Sequence, residues 1–369
     1  MLKAFGFTWQ LITFVALTLA FAVQAEANLA DGAEQSEKIF IRPNPGVDSI
    51  QVQKLKLLNV DIRQGVRAHI QVTVFNKVRC QGRGDSLLTL HGLSHTAASW
   101  QRFAEQVLLD SDPECRLGKI LAMDLPGHGG SSLPWSVSGV KFGDLTLQDY
   151  AQALIGTLDR LKISRLPVNV LLAHSMGGVI TQLAQNQLLA QKSSFKRKGV
   201  ETVVLLASSL PKPLSWNLAD SGAGAQLAAP YIKQNIDLGG YAEIPAPNWL
   251  GLFFTNFTQQ FVLGTPSLSE VQGRGYVALE SLTAAGQLLR IQGFPPPQVD
   301  QGLFVRQHGT RLVVIAFAQD ITVTVDEQKN LYRFLTADAD LQSFKTVTGD
   351  QAVHDTYISN PRLLFSALQ

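Results

Sequence analysis

The stretch Val168-Asn169-Val170-Leu171-Leu172-Ala173-His174-Ser175-Met176-Gly177-Gly178 decides how the rest of this chain is read. Its apolar half has the length and β-branched content of a buried strand. It runs into His-Ser-Met-Gly-Gly, and residues 177–189 then carry helical spacing. A strand that turns sharply into a helix with Ser at the apex lifts the hydroxyl above the sheet, in the position of a nucleophile. Such a turn crowds its neighbours, so small residues are needed two before and two after the Ser. Ala173 and Gly177 supply them. A Ser at a helix start also suits an N-cap, but the buried strand directly before it favours the turn.

Outward from this turn, strands and helices alternate. Strands are predicted over 51–59, 68–78, 86–90, 120–124, 168–172, 203–207, 312–317 and 344–347. Helices are predicted over 99–109, 147–161, 177–189, 324–335 and 361–368, the fourth opening with a capping box, Thr324 and Glu327. This alternation implies an α/β fold: a mostly parallel eight-stranded sheet with helices on both faces. Residues 211–300 break the rhythm. They are rich in Pro, Gly and aromatic residues and lie between two buried strands, so they read as an inserted cap. The expected organisation is a leader at 1–25, an arm at 26–50, core segments at 51–210 and 301–369, and the cap at 211–300.

Three further pieces carry chemistry. In Leu88-Thr89-Leu90-His91-Gly92-Leu93-Ser94 a buried strand ends in His-Gly and turns. Acyl transfer creates an oxyanion that backbone N–H groups stabilise. The N–H of Met176, just after the Ser, and that of Leu93 are placed to donate, while His91 reads as a brace for the loop. In Leu312–Asp320 a carboxylate, Asp320, follows the end of a buried strand, where it can orient a His. Its nearest competitor, Asp326, belongs to the capping box. Of the 7 His, His354 alone follows both the Ser and the acid. An imidazole titrates near neutrality and can take the Ser proton and return it to a leaving group. The flanking Asp350 and Asp355 read as surface residues.

The order Ser175, Asp320, His354 resembles that of the α/β-hydrolases, over roughly residues 51–369. Asp124-Leu125-Pro126-Gly127-His128-Gly129-Gly130-Ser131-Ser132 is similar to the family's turn after the fourth strand, and Asn360-Pro361 to its start of the closing helix. Ala173 stands where the family usually has Gly, and Phe317 where a Gly often precedes the acid. The resemblance implies acyl transfer through a covalent intermediate, with no metal and no organic cofactor. It also implies a small-molecule substrate and a cap that shapes the acyl pocket. Members of this fold that cleave halides or epoxides use Asp at the elbow, and this chain has Ser. Trp249, Leu250, Leu252, Phe253, Phe254, Phe257 and Phe261 crowd the cap, either to line a pocket for an apolar acyl ester or to pack the cap on the core. The expected activity is carboxylic-ester hydrolysis. A lactonase, C–C bond hydrolase, acyltransferase or perhydrolase would use the same triad. A catalytically silent hydrolase-like binding protein stands as the alternative from another class.

Composition bounds the partners and the compartment. Of 369 residues 46% are apolar, enough for a large core, and only 16% are charged against about 25% in an average soluble domain. Lys and Arg (31) nearly cancel Asp and Glu (29), so no global field attracts nucleic acid or an anionic membrane. Residues 1–25 hold one charge, Lys3, then an apolar run from Leu11 to Val23 and the small residue Ala25. This is the pattern of a secretory signal peptide, cleaved after Ala25 or, second, after Ala27. The run is shorter than the about 20 residues that span a bilayer. The mature chain is therefore expected in the periplasm or outside the cell, without a stable membrane span. There Cys80 and Cys115, each ahead of a predicted strand, can pair as a disulfide. Neither has a Cys-x-x-Cys partner, so a zinc site is not expected. Nothing in the sequence sets the oligomeric state.

Overall fold

The computed structural model describes residues 35–41, 50–80, 83–92, 95–110, 115–132, 146–211, 298–320, 323–337, 341–349, 352, 354 and 356–368. The expected leader at 1–25 and residues 212–297 of the expected cap lie outside the described residues.

Among the described residues, nine strands form one sheet: β1 (Gln35–Ile41), β2 (Ile50–Arg63), β3 (Val66–Lys77), β4 (Asp85–Leu90), β5 (Leu117–Met123), β6 (Val170–His174), β7 (Thr202–Leu206), β8 (Arg311–Phe317) and β9 (Phe344–Val347). Their order is β1-β2-β3-β5-β4-β6-β7-β8-β9. The strands β4 to β9 pair in parallel, whereas β1, β2 and β3 form an antiparallel extension that joins through β5. The eight expected strands are β2 to β9. The ninth, β1, falls in the stretch read as an arm. It pairs with the outer edge of β2 from Gln35↔Lys56 to Ile41↔Ile50. That edge would otherwise present a row of unpaired backbone groups.

Helices cover both faces: α1 (Gln101–Asp110), α2 (Leu147–Ile163), α3 (Met176–Ala190), α4 (Phe195–Lys198), α5 (Val325–Thr336), α6 (Thr356–Ser359) and α7 (Pro361–Leu368). The core is split by the sheet into two layers. On one face Leu88, Leu90, Leu171, Ala173, Val203, Leu205 and Val314 pack with Leu154, Leu158, Ile180, Leu183 and Leu331 of α2, α3 and α5. On the other, Leu87, Ile120, Leu172, Val204, Ile315 and Phe317 pack with Phe103, Val107, Tyr357 and Leu364. Successive residues of β6, β7 and β8 thus serve opposite layers, which is why these strands read as unbroken apolar runs. Among the described residues, α2 starts with a complete capping box of Thr146 with Asp149, and α5 with the expected one of Thr324 with Glu327.

Cys80 and Cys115 form a disulfide with Cα atoms 5.6 Å apart. It joins the turn after β3 to the start of β5, its sheet neighbour. Going from β4, the chain places β5 on one side and β6 on the other. A sheet that reverses its order in this way opens a crevice at the carboxyl ends of its strands. Ser175, Asp320 and His354 follow the carboxyl ends of β6, β8 and β9.

Candidate active site

The apex of the β6–α3 turn is Ser175, with φ 51° and ψ −119°. A positive φ is unusual for a residue with a side chain and marks a backbone held in place by its surroundings. Those surroundings are visible on every side. The Ser175 N–H donates to Leu206 O at 2.9 Å, extending the β6–β7 ladder into the turn. The Ser208 hydroxyl donates to Ser175 O at 3.1 Å. A Cβ on Gly177 would sit 2.7 Å from His91 O and 2.9 Å from Leu90 O, so only glycine lets α3 approach β4 this closely. Ala173, fully buried, pairs with Leu90 and Leu205. Its methyl is accommodated where the family usually has Gly. Ser175 itself is half-buried.

Asp320 follows β8 after a turn closed by Asp320 N–H to Phe317 O at 3.1 Å. Phe317 is the last residue of β8 and is fully buried. The turn carrying Asp320 is tied to the loop after β9, since Ala318 N–H donates to Val347 O and Gln319 N–H to Ala352 O, each at 2.9 Å. That loop carries His354. Asp320 and His354 are both buried, and Nδ1 of His354 lies 2.9 Å from Oδ2 of Asp320. The other carboxylate oxygen, Oδ1, accepts the Val323 N–H at 3.0 Å. Asp326, the competitor, has a side chain 87% exposed and pairs with Lys329. Asp350 and Asp355 lie outside the described residues.

Sequence reasoning missed a second tier of residues that ties these parts together. His174, fully buried, has Nε2 3.0 Å from His354 O, and the two rings lie 4.7 Å apart. Tyr357 packs 4.8 Å from the His174 ring and stacks on Trp100 at 4.0 Å. His95 approaches both His174 and Tyr357 by ring edges. The only available signal was the position of His174 inside the elbow motif itself.

The loop expected to supply an oxyanion donor begins at His91. Its Nε2 accepts the Leu125 N–H at 3.2 Å and its Nδ1 donates to Gly92 O at 2.9 Å, so the ring is neutral and braces the loop as expected. Burial, and then the neighbouring His128, hold its pKa well below the ordinary 6.5. Burial also lowers His128 to about 4. The Asp124–Ser132 turn is structural: Asp124 accepts the N–H of Ala97 at 2.6 Å and of Gly130 at 3.1 Å, and Ser131 and Ser132 bond back to β3. Met176 opens α3, where the first amides have no partner within the helix. Leu93, the other expected donor, lies outside the described residues, as do Trp249, Phe254 and the rest of the cap aromatics. Among the described residues no group of three or more His, Cys, Asp or Glu is arranged to hold a metal ion, and no helix is long and apolar enough to cross a membrane.

The comparisons with known proteins agree with this architecture. The pattern of the Alpha/beta hydrolase family matches residues 87–351. Protein phosphatase methylesterase 1 of Mus musculus is 32% identical over 106 residues, 29% of this chain and 25% of that protein. The match therefore spans about a quarter of that relative's length. A hydrolase from Pseudomonas aeruginosa PA01 superposes with a TM-score of 0.52 at 18% identity, covering 82% of this chain and 93% of that one. An esterase from Exiguobacterium antarcticum gives a TM-score of 0.54 at 13% identity, covering 82% and 94%. These two likenesses are likenesses of fold. Because the family pattern runs from β4 through the elbow and β8 to the loop after β9, the chain is a member of the alpha/beta hydrolase family.

Proposed function

We propose that this chain is an exported serine hydrolase that cleaves carboxylic esters of small molecules with apolar acyl groups. The single observation that carries the reading is the buried Asp320–His354 pair at 2.9 Å, anchored through the His354 carbonyl to the residue just before Ser175. With Nδ1 bonded to the carboxylate, His354 presents Nε2 as the base. It removes the Ser175 proton as Oγ attacks the ester carbonyl. The N–H groups of Met176 and Leu93 receive the oxyanion. His354 then protonates the leaving alcohol, and a water activated the same way releases the acid and restores Ser175.

The matched methylesterase and the Exiguobacterium esterase are ester-cleaving by name, which supports the choice of bond. Export is supported by the leader at 1–25 and by the Cys80–Cys115 disulfide, a bond that persists in oxidising compartments.

A fluorophosphonate probe tests the nucleophile. The wild-type protein is expected to be labelled and Ser175→Ala is not. Labelling of Ser175→Ala, or none of the wild type, removes the assignment. A panel of esters of increasing acyl length then tests the bond. A labelled protein that hydrolyses none of them belongs to another reaction on the same triad.

A further inference from the structure

We propose that His174 is a positioning residue that sets the height and rotation of His354 relative to Ser175; this rests on the triad reading above. His174 is adjacent to the nucleophile in the chain and bonded to the base in space. A carbonyl oxygen only accepts, so the 3.0 Å contact between His174 Nε2 and His354 O requires a proton on Nε2. The elbow therefore grips the backbone of the loop that carries the base, while Asp320 grips its ring through Nδ1. Two bonds from different elements fix His354 at both ends.

The ring of His174 is itself held. It packs 4.7 Å from the ring of His354 and 4.8 Å from that of Tyr357. Tyr357 is locked by stacking on Trp100 and by its hydroxyl bond to Ser99 Oγ at 3.1 Å. Gly92 lies against the other side of His174: a Cβ there would come within 2.8 Å of Nδ1 and 3.0 Å of the Ser175 Cβ. His174 thus sits where the elbow, the loop after β4 and the loop after β9 meet. A side chain buried for packing alone would not need a donor aimed at the carbonyl of the base.

A reacting group displaced by about 1 Å loses on the order of a hundredfold in rate. His174→Phe keeps a flat ring and removes the donor. It is expected to lower kcat for a short-chain ester by about a hundredfold with KM within about threefold. His174→Gln can donate to the same carbonyl and is expected to recover most of that loss. Wild-type kcat in folded His174→Phe, or equal loss in both variants, overturns the proposal. A measurement on the unaltered protein decides the matter where a variant does not fold. Long-range 15N–1H correlation within the imidazole is expected to find His174 protonated at Nε2, and a ring protonated at Nδ1 alone overturns the proposal. Absence of fluorophosphonate labelling in the wild type would instead remove the triad reading beneath it.

Discussion

Ser175 holds a backbone conformation that costs an L-residue about 1–3 kcal/mol, so its neighbours must enforce it. The same economy of placement governs Asp320, whose two oxygens face different partners. Oδ1 accepts the Val323 N–H and Oδ2 accepts His354 Nδ1–H. This split orientation predicts what Asp320→Asn does. The amide must keep its oxygen toward the Val323 N–H, so its NH2 faces His354. That turns Nδ1 into an acceptor and moves the imidazole proton to Nε2, the atom needed as base. The expected outcome is a fall in kcat of about 10³–10⁴ with a nearly unchanged KM, measured by ester hydrolysis. Asp326→Asn, at an exposed side chain on α5, is the control and should match wild type. A loss below tenfold in Asp320→Asn would sink the role given to Asp320.

At the scale of elements, the disulfide and the site occupy opposite ends of the sheet. Cys80 follows β3 and Cys115 precedes β5, whereas Ser175, Asp320 and His354 follow the carboxyl ends of β6, β8 and β9. A bond closing a separation of 35 residues is worth about 4 kcal/mol in the chain-entropy model. Replacing both cysteines with Ala should therefore lower the urea midpoint markedly and leave kcat of the folded protein within about twofold. An unchanged midpoint would show that the bond does not constrain the unfolded chain. The elements themselves were largely legible in the sequence, for a physical reason. Strands buried on two faces, such as β6, β7 and β8, have no polar side to disguise them, and Ser175 and Asp320 follow closely on the ends of β6 and β8. Strand β1 was not legible because its pairing depends on the free edge of β2, not on its own pattern. His174 was missed on similar grounds: its partner lies 180 residues away, and no local spacing encodes a side-chain bond to a distant carbonyl.

For the whole molecule, the consequence of burial is acid sensitivity that originates away from the reacting groups. The near-balance of 31 basic and 29 acidic residues leaves little net repulsion near neutrality, so individual buried groups decide the response to pH. His91 and His128, in the loops after β4 and β5, have rings 5.1 Å apart, both fully buried. Burial lowers both, His128 to about 4 from an ordinary 6.5, and His91 is lowered further by His128. The sign follows from which state binds protons. Between 6.5 and the folded values, the unfolded chain protonates these rings and the folded chain does not. Stability is therefore level above about pH 7 and falls as pH drops through 6.5, by about 1.4 kcal/mol per pH unit for each ring. For His128 the loss ends near pH 4, where the folded ring also takes its proton. Most carboxylates stay ionised above about pH 5, so the interval from 6.5 to 5 isolates the histidines. Urea titrations at pH 7.5, 6.5, 5.75 and 5 should show this slope. Replacing His128 with Asn keeps a donor near Pro126 O, which His128 Nδ1 meets at 3.1 Å, and removes one titrating ring. The slope between pH 6.5 and 5 should then fall. A wild-type stability as high at pH 5 as at pH 7.5, or a slope unmoved in His128→Asn, would mean that these rings do not set the acid limit of the fold.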